Sequence, residues 1–186
     1  MPENNTRDRR SIRLSGYDYA QNGAYFITIC THGKRNMFGE IVDGDVRLNE
    51  CGRIVHMCLL EIPKHFSNAS LDEFIVMPNH IHAIISIDAA SRGTACRAPT
   101  ERFGKPTANS IPTIIRSLKS AAARRINVLR QTPGAPVWHR NYYEHVIRGE
   151  TDLNSVREYV RYNPQKWAED EENPAKSANG ISQGRR

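Results

Sequence analysis

The sequence predicts an α+β domain of the ferredoxin-like kind, a split βαβ arrangement in which an antiparallel sheet carries helices on one face and a C-terminal helix is added. Three observations lead to this prediction. Apolar runs rich in β-branched and aromatic residues alternate with stretches of helical period, in the order strand, helix, strand, strand, helix, strand, helix. Turn residues separate these segments. The length of 186 residues suits one domain better than two.

Four main strands and one hairpin are predicted. The main strands lie at residues 24–30, 71–77 and 80–87 and in the second half of 138–148. The first run is apolar on both faces, which is typical of a central strand. Residues 38–48 form a hairpin, because Asp43-Gly44 is a dipeptide that tight turns favour. Pro78-Asn79 separates the second and third strands.

Three amphipathic helices complete the predicted domain. They are expected at residues 49–64, 112–130 and 151–163. Asn49 and Thr151 are suitable N-caps for the first and third helices. The third helix is expected to stop at Asn163, because the following Pro164 disfavours helical geometry in its predecessor.

The ends of the chain and one internal segment are polar and lack periodicity. We expect residues 1–13 to be a basic flexible arm, residues 14–167 to be the folded domain and residues 168–186 to be a disordered tail, with a mobile loop at 88–110. The four cysteines include no CxxC pair, which argues against a zinc finger and a thioredoxin-like site. No apolar run approaches the roughly 20 residues that span a bilayer, so no membrane partner and a cytoplasmic location are expected.

Charge points to a polyanionic partner. The 26 Lys and Arg residues exceed the 20 Asp and Glu residues, and the net charge is +6. All five charged residues between positions 116 and 130 are positive, so this helix either contacts nucleic acid or presents an ordinary solvated face. The residues expected to contact nucleic acid are Arg7, Arg9, Arg10, Arg13, Arg116, Lys119, Arg124, Arg130 and Arg140.

Two histidines at the start of the third strand are candidate metal ligands. Side chains on a strand alternate between faces, so His80 and His82 project from the same face. Neighbouring imidazoles can bind a metal ion and leave positions open for a substrate, although an ordinary half-buried pair is the alternative. Tyr159 and Asn163 have i, i+4 spacing and share one face of the third helix. If that face covers the histidines, the site has groups suited to breaking a phosphodiester.

Several segments, in this order, resemble the HUH single-tyrosine transposases, and within them the REP-associated tyrosine transposases (the RAYT-like group). The resemblance covers most of residues 10 to 170. The matching segments are Gly16-Tyr17-Asp18-Tyr19, residues 24–28, Met77-Pro78-Asn79-His80-Ile81-His82, residues 138–148 and residues 157–167.

The resemblance implies an enzyme that nicks and rejoins single-stranded DNA and acts on hairpin-forming repeats. His80 and His82 match the metal-binding pair of the family, Tyr159 on the C-terminal helix matches the nucleophile, and Asn163 matches a third metal-binding side chain. The implied cofactor is a divalent metal, Mg²⁺ or Mn²⁺, and imidazole ligands favour Mn²⁺. The implied intermediate is a 5′ phosphate on tyrosine beside a free 3′ hydroxyl.

Other tyrosines and other functions are also considered. Tyr142 and Tyr143 are interpreted as strand residues that pack or stack on bases, and Tyr162 as a packing residue. A non-catalytic nucleic-acid-binding module and a replication or relaxase-type HUH nickase are the alternative functions. Small size and the 138–148 segment favour the transposase-like group. A monomer or homodimer associated with a bacterial nucleoid is expected by resemblance.

Overall fold

The apolar runs and amphipathic stretches of the sequence become strands and helices in the computed structural model, which describes residues 17–88 and 107–179, with side chains up to residue 176. The strands are β1 (Gly23–Cys30), β2 (Gly39–Val42), β3 (Asp45–Leu48), β4 (Ala69–Val76), β5 (His80–Ile87) and β6 (Tyr143–Ile147). The helices are α1 (Glu50–Leu60), α2 (Ile62–His65), α3 (Ile111–Leu129), α4 (Gly149–Tyr162) and α5 (Pro174–Asn179). A 3₁₀ helix, Pro164–Glu169, directly follows α4.

The main sheet has the strand order β4-β5-β1-β6, and every neighbouring pair is antiparallel. This arrangement confirms the predicted α+β fold, and β1 is central as its apolar sequence indicates. Strands β2 and β3 form a separate hairpin. At its turn, Asp43 and Gly44 have φ angles of 54° and 83°, the left-handed geometry that a two-residue hairpin turn requires.

The two faces of the main sheet pack against different helices. Odd-numbered residues of β1 and β5 belong to a large core shared with α1 and α3. Even-numbered residues point the other way, where Phe26 and Ile84 pack with Ile147 of β6 and Val160 of α4. Helices α1 and α3 therefore lie on one face, and the C-terminal helix α4 covers the opposite face. Within the described part of the chain, every helix is too short or too polar to span a bilayer.

Ion pairs attach α4 to the edge strand β4. The Arg157 guanidinium donates to both carboxylate oxygens of Asp72, at 3.1 and 2.6 Å, and holds the pKa of this carboxyl below its usual value. Arg161, one turn later, pairs with Glu73. Adjacent residues of a regular strand point to opposite faces, but the register of β4 shifts between Leu71 and Phe74. This irregularity lets two consecutive acidic residues reach the same helix.

Two boundary predictions need correction. Helix α4 begins at Gly149 and not at Thr151, because the Asp152 carboxylate accepts a hydrogen bond of 2.8 Å from the Arg148 backbone N–H and stabilises an earlier start. The tail predicted to be disordered at 168–186 contains ordered elements, because residues 168–169 complete the 3₁₀ helix and residues 174–179 form α5.

Side-chain hydrogen bonds hold this C-terminal segment in place. The Asn173 side-chain amide donates to the Trp167 carbonyl at 2.8 Å, and its Oδ1 accepts from the backbone N–H of Ala175 at 3.0 Å. The predicted arm at 1–13, most of the predicted loop at 88–110 and residues 180–186 lie outside the described residues.

Gly52→Ala is expected to destabilise the protein, although Gly52 lies inside α1. An added Cβ would lie 2.1 Å from the Phe38 carbonyl oxygen and 2.9 Å from Leu48 Cδ2 of the hairpin. In an open helix this change would stabilise by about 1 kcal/mol. Here we expect the free energy of unfolding, measured in urea, to fall by roughly 1 to 3 kcal/mol. Ser120→Ala on the exposed side of α3 is the control, and equal stabilisation by both changes would contradict the close approach.

Candidate metal centre

Strand β5 places His80 and His82 on the sheet face that α4 covers. His80 is fully buried, and His82 is 3% exposed. Their Nε2 atoms are 2.9 Å apart, so the two imidazoles converge on one point as strand alternation predicts.

Hydrogen bonds to the opposite ring nitrogens orient both imidazoles. The Asn79 Oδ1 atom lies 2.9 Å from His80 Nδ1, and an amide oxygen only accepts, so His80 carries its hydrogen on Nδ1. His82 Nδ1 lies 2.9 Å from the hydroxyl of Thr28, its register partner on β1, and a hydroxyl can donate or accept. Because His80 Nε2 is unprotonated, the 2.9 Å bond between the two Nε2 atoms has His82 as the donor, and the Thr28 hydroxyl then donates to His82 Nδ1. A bound cation would replace the proton between the rings, with Thr28 accepting from His82 Nδ1–H, and metal-binding histidines commonly have such outer hydrogen bonds.

Burial keeps both imidazoles neutral. It lowers the pKa of His80 to about 4, and burial together with the neighbouring His80 lowers the pKa of His82 well below its ordinary value. Neither ring is protonated at neutral pH, so each can donate a lone pair to a metal ion.

A carboxylate that the sequence analysis missed completes this candidate site. Asp170 Oδ2 lies 4.0 Å from His80 Nε2, and the possible ligand atoms of His80, His82 and Asp170 all lie within 4.8 Å of one another. The 3₁₀ helix after α4 carries the chain back over the histidines and delivers Asp170. The only sequence signal was an acidic run in the predicted tail. Two neutral imidazoles and a carboxylate are a donor set that suits a divalent transition metal.

Asn163, the predicted third ligand, lies in the same region. Its side chain is 3% exposed, and its Oδ1 has no hydrogen-bond partner among the described residues. A buried amide oxygen without a partner costs free energy unless something binds it. Asn163 has a helical conformation, with φ of −57° and ψ of −41°, and therefore remains on the same face as Tyr159. Its orphaned oxygen fits a site that receives a cation.

Tyr159 projects from α4 towards the histidines. The centroid of its ring lies 5.2 Å from that of His82 and 5.8 Å from that of Phe26. Burial and the negative charge of Asp170 raise the pKa of Tyr159, and a hydrogen bond with the Asn163 side chain opposes this effect. The phenol therefore keeps its proton at neutral pH.

An open cavity of about 620 Å³ connects these groups, and its lining includes His82, Tyr159, Asn163 and Asp170. Two nearby residues with polar side chains, Tyr162 and His145, are not among the lining residues. Tyr162 is exposed on α4. His145 of β6 is 3.0 Å from the Asp152 carboxylate at the start of α4. The predicted metal and nucleophile residues are therefore brought together, and these two are separate from them.

The residues predicted to contact DNA have different surroundings. Arg116, Arg124, Arg130 and Arg140 are exposed. Lys119 has another role, because its ammonium group donates to the His139 and Arg140 carbonyls at 2.7 and 3.1 Å. It binds the protein backbone and is not a free surface cation, which the helical pattern alone could not show. Arg7, Arg9, Arg10 and Arg13 lie outside the described residues.

Comparison with known proteins identifies a relative over most of the chain. The chain is 39% identical over 168 residues to a protein of Haemophilus influenzae (strain Rd) that is described as an uncharacterized protein, and the match covers 88% of this chain and 92% of that protein. The chain belongs to the same family as this protein. No protein-family model matches the sequence.

One solved structure is similar to this chain in fold. It is that of a REP-associated tyrosine transposase bound to a REP hairpin, with a TM-score of 0.54 and 16% identity, and it covers 82% of this chain and 74% of that chain. At this identity the similarity is one of fold. The structural resemblance to REP-associated tyrosine transposases that the sequence segments indicated is confirmed.

Asp170→Asn is expected to weaken Mn²⁺ binding about tenfold or more, because it removes the only charged oxygen in the candidate ligand set. The Trp167 and His80 ring centroids lie 6.0 Å apart, so quenching of tryptophan emission by Mn²⁺ provides the titration signal. Glu171→Gln is the matched control, since it removes the same charge from the neighbouring exposed residue. Equal affinities of the two variants would exclude Asp170 as a ligand.

Proposed function

We propose that the protein is a metal-dependent endonuclease and strand transferase of the tyrosine HUH type that acts on single-stranded, hairpin-forming repeat DNA. The observation that carries the proposal is the contact of Tyr159 with His82, which puts a phenol against the candidate metal centre in one open cavity. A phosphate in this cavity would meet both groups. The fold similarity to a protein bound to a REP hairpin supports the choice of DNA.

The proposed reaction exchanges one phosphodiester for another. The Tyr159 hydroxyl oxygen attacks phosphorus and loses its proton, the bond from phosphorus to the 3′ oxygen breaks, and the 3′ oxygen takes up a proton. The 5′ phosphate then remains on Tyr159. Because the new bond is also a phosphodiester, a second 3′ hydroxyl can reverse the step and rejoin the strands without a nucleotide triphosphate.

The chain supplies the binding groups and the position of the nucleophile. His80, His82 and Asp170, with Asn163 as a further oxygen donor, would hold a divalent ion, which provides positive charge for the phosphate oxygens when bound. With two imidazoles in this set, Mn²⁺ fits better than Mg²⁺, which prefers oxygen ligands.

Packing of α4 holds the phenol in place. Phe26 and His82 contact its ring, and the ion pair between Arg157 and Asp72 attaches the same turn of the helix to β4. This restraint matters because an attacking oxygen must lie about 3 to 3.5 Å from phosphorus.

Tyr159→Phe is expected to abolish the covalent adduct and to retain hairpin binding, because it removes a single oxygen and keeps the ring that packs on His82. The assay mixes the protein with Mn²⁺ and a hairpin oligonucleotide labelled at its 3′ end, whose cleaved fragment would carry the 5′ phosphate to the protein on a denaturing gel. Tyr162→Phe is the matched control, since Tyr162 lies three residues further along α4 and is 53% exposed.

Three outcomes separate the candidate functions. An adduct that persists in Tyr159→Phe would exclude this residue as the nucleophile. Specific hairpin binding by the unmodified protein without any adduct would favour the non-catalytic module. If Tyr159→Phe lost hairpin binding and Tyr162→Phe kept it, Tyr159 would have a role in DNA binding in place of chemistry.

A further inference from the structure

We propose that Tyr143 is the stacking platform for a DNA base next to the phosphate that Tyr159 attacks. This inference rests on the proposed function and adds a DNA-positioning residue to it. The partner is single-stranded DNA, and the group that is recognised is the flat face of an unpaired base.

Strand pairing puts Tyr143 in line with the candidate metal centre. Thr28 of β1 is the register partner of His82 on one side and of Tyr143 on the other, so the three residues form a row across neighbouring strands on one face. Strands lie about 4.8 Å apart, which places Tyr143 about 10 Å from His82. Tyr143 also lines the cavity that contains Tyr159. A base on Tyr143 would therefore belong to a nucleotide close to the attacked phosphate.

The Tyr143 side chain is available for stacking. It is 58% exposed, and within residues 17–88 and 107–179 no other aromatic ring is seen against it. Its neighbour Tyr142 is partly buried and packs on the main core, which leaves Tyr143 as the candidate of the pair. An exposed aromatic ring at the border of a cavity suits single-stranded nucleic acid, since every base offers a π face to it.

The segment before Tyr143 is held rigidly, which favours a preformed platform. The Lys119 ammonium group donates to three consecutive carbonyls, those of His139, Arg140 and Asn141, at 2.7, 3.1 and 3.5 Å. The Trp138 indole N–H donates in turn to the Lys119 carbonyl at 3.0 Å.

Backbone bonds fix the same segment to β1 from the other side. The His139 N–H donates to the Cys30 carbonyl at 2.8 Å, and Thr31 forms a bridge with Trp138. A surface that is already ordered loses less conformational entropy when a base binds. Lys119 is in this sense a positioning residue for the tyrosine.

The test measures stacking directly and does not depend on cleavage. All variants are made in the Tyr159→Phe background, so that the DNA stays intact. The probes are a hairpin with a single-stranded flank and a set of matched oligonucleotides, each with one abasic position near the nick. We expect Tyr143→Ala to lower affinity for the intact probe about tenfold and Tyr143→Trp to keep it. Tyr162→Ala is the control, because it removes an exposed tyrosine of α4 outside the cavity.

The abasic series identifies the base that stacks. When Tyr143 is present, removal of the base at one position is expected to lower the affinity for DNA about tenfold. In the Tyr143→Ala variant, removal of the same base is expected to cause no further loss of affinity. Lys119→Met is expected to reduce the difference in affinity between the intact probe and this abasic probe, because it removes the hydrogen bonds that hold the segment before Tyr143. The proposal would be overturned if Tyr143→Ala bound the intact probe as tightly as the Tyr159→Phe protein that retains Tyr143. It would also be overturned if every abasic position lowered the affinity of both proteins equally.

The outcomes for stacking and for chemistry are distinguishable. A normal adduct in the protein with Tyr159, together with no effect of Tyr143→Ala on binding, would reject the stacking platform and leave the proposed function standing. A loss of affinity that depends on Tyr143 at one abasic position, without any adduct, would reject the chemistry and keep the platform. Urea unfolding of each variant separates a loss of stacking from a loss of the fold, and Tyr143→Trp provides a second, ring-retaining variant.

Discussion

The register between β1 and β5 determines the geometry of the candidate site. It places Thr28 opposite His82, so that one hydroxyl can orient the imidazole, and it directs both histidines away from the large core. A slip of one residue would turn these side chains towards α1 and α3 and would bring Ile81 into the cavity. The burial of Ile81 and Ile85 in the main core opposes this slip. The apolar packing on one face of the sheet thus determines the orientation of the candidate metal ligands on the other face.

The two faces are stabilised in different ways. The face under α1 and α3 has an extensive apolar core, whereas the face under α4 has a small apolar cluster around Phe26 and Val160. Part of the attachment of α4 is therefore polar, because Arg157 and Arg161 of α4 form ion pairs with acidic residues of β4. A less apolar interface leaves room for an open cavity beside the helix, and the paired charges keep the helix in a defined orientation.

Local patterns were sufficient for most of the fold but for only part of the site. Hydrophobic periodicity and turn chemistry located the main strands, the hairpin and the helices α1, α3 and α4, because these signals act over a few residues. The pairing of His80 with His82 and the shared face of Tyr159 and Asn163 followed from the same kind of reasoning. Asp170 could not be found in this way, since its position depends on the path of a 3₁₀ helix through a polar segment. The role of Lys119 also depends on a distant contact, because a helical pattern shows which face is charged but not which carbonyls approach it.

Asn79 gives the candidate site a property that separate ligands would not have. Its Oδ1 lies at His80 Nδ1, while its NH₂ group donates to the carbonyls of Lys34 and Glu172 at 3.1 and 2.6 Å. One planar amide therefore links the orientation of an imidazole to the turn that follows β1 and to the segment that carries Asp170. These three parts of the chain are far apart in sequence, yet they share a single rigid group. The C-terminal segment cannot move away from the sheet without breaking or rotating that amide, so the position of the segment and the direction of the His80 lone pair form one mechanical unit.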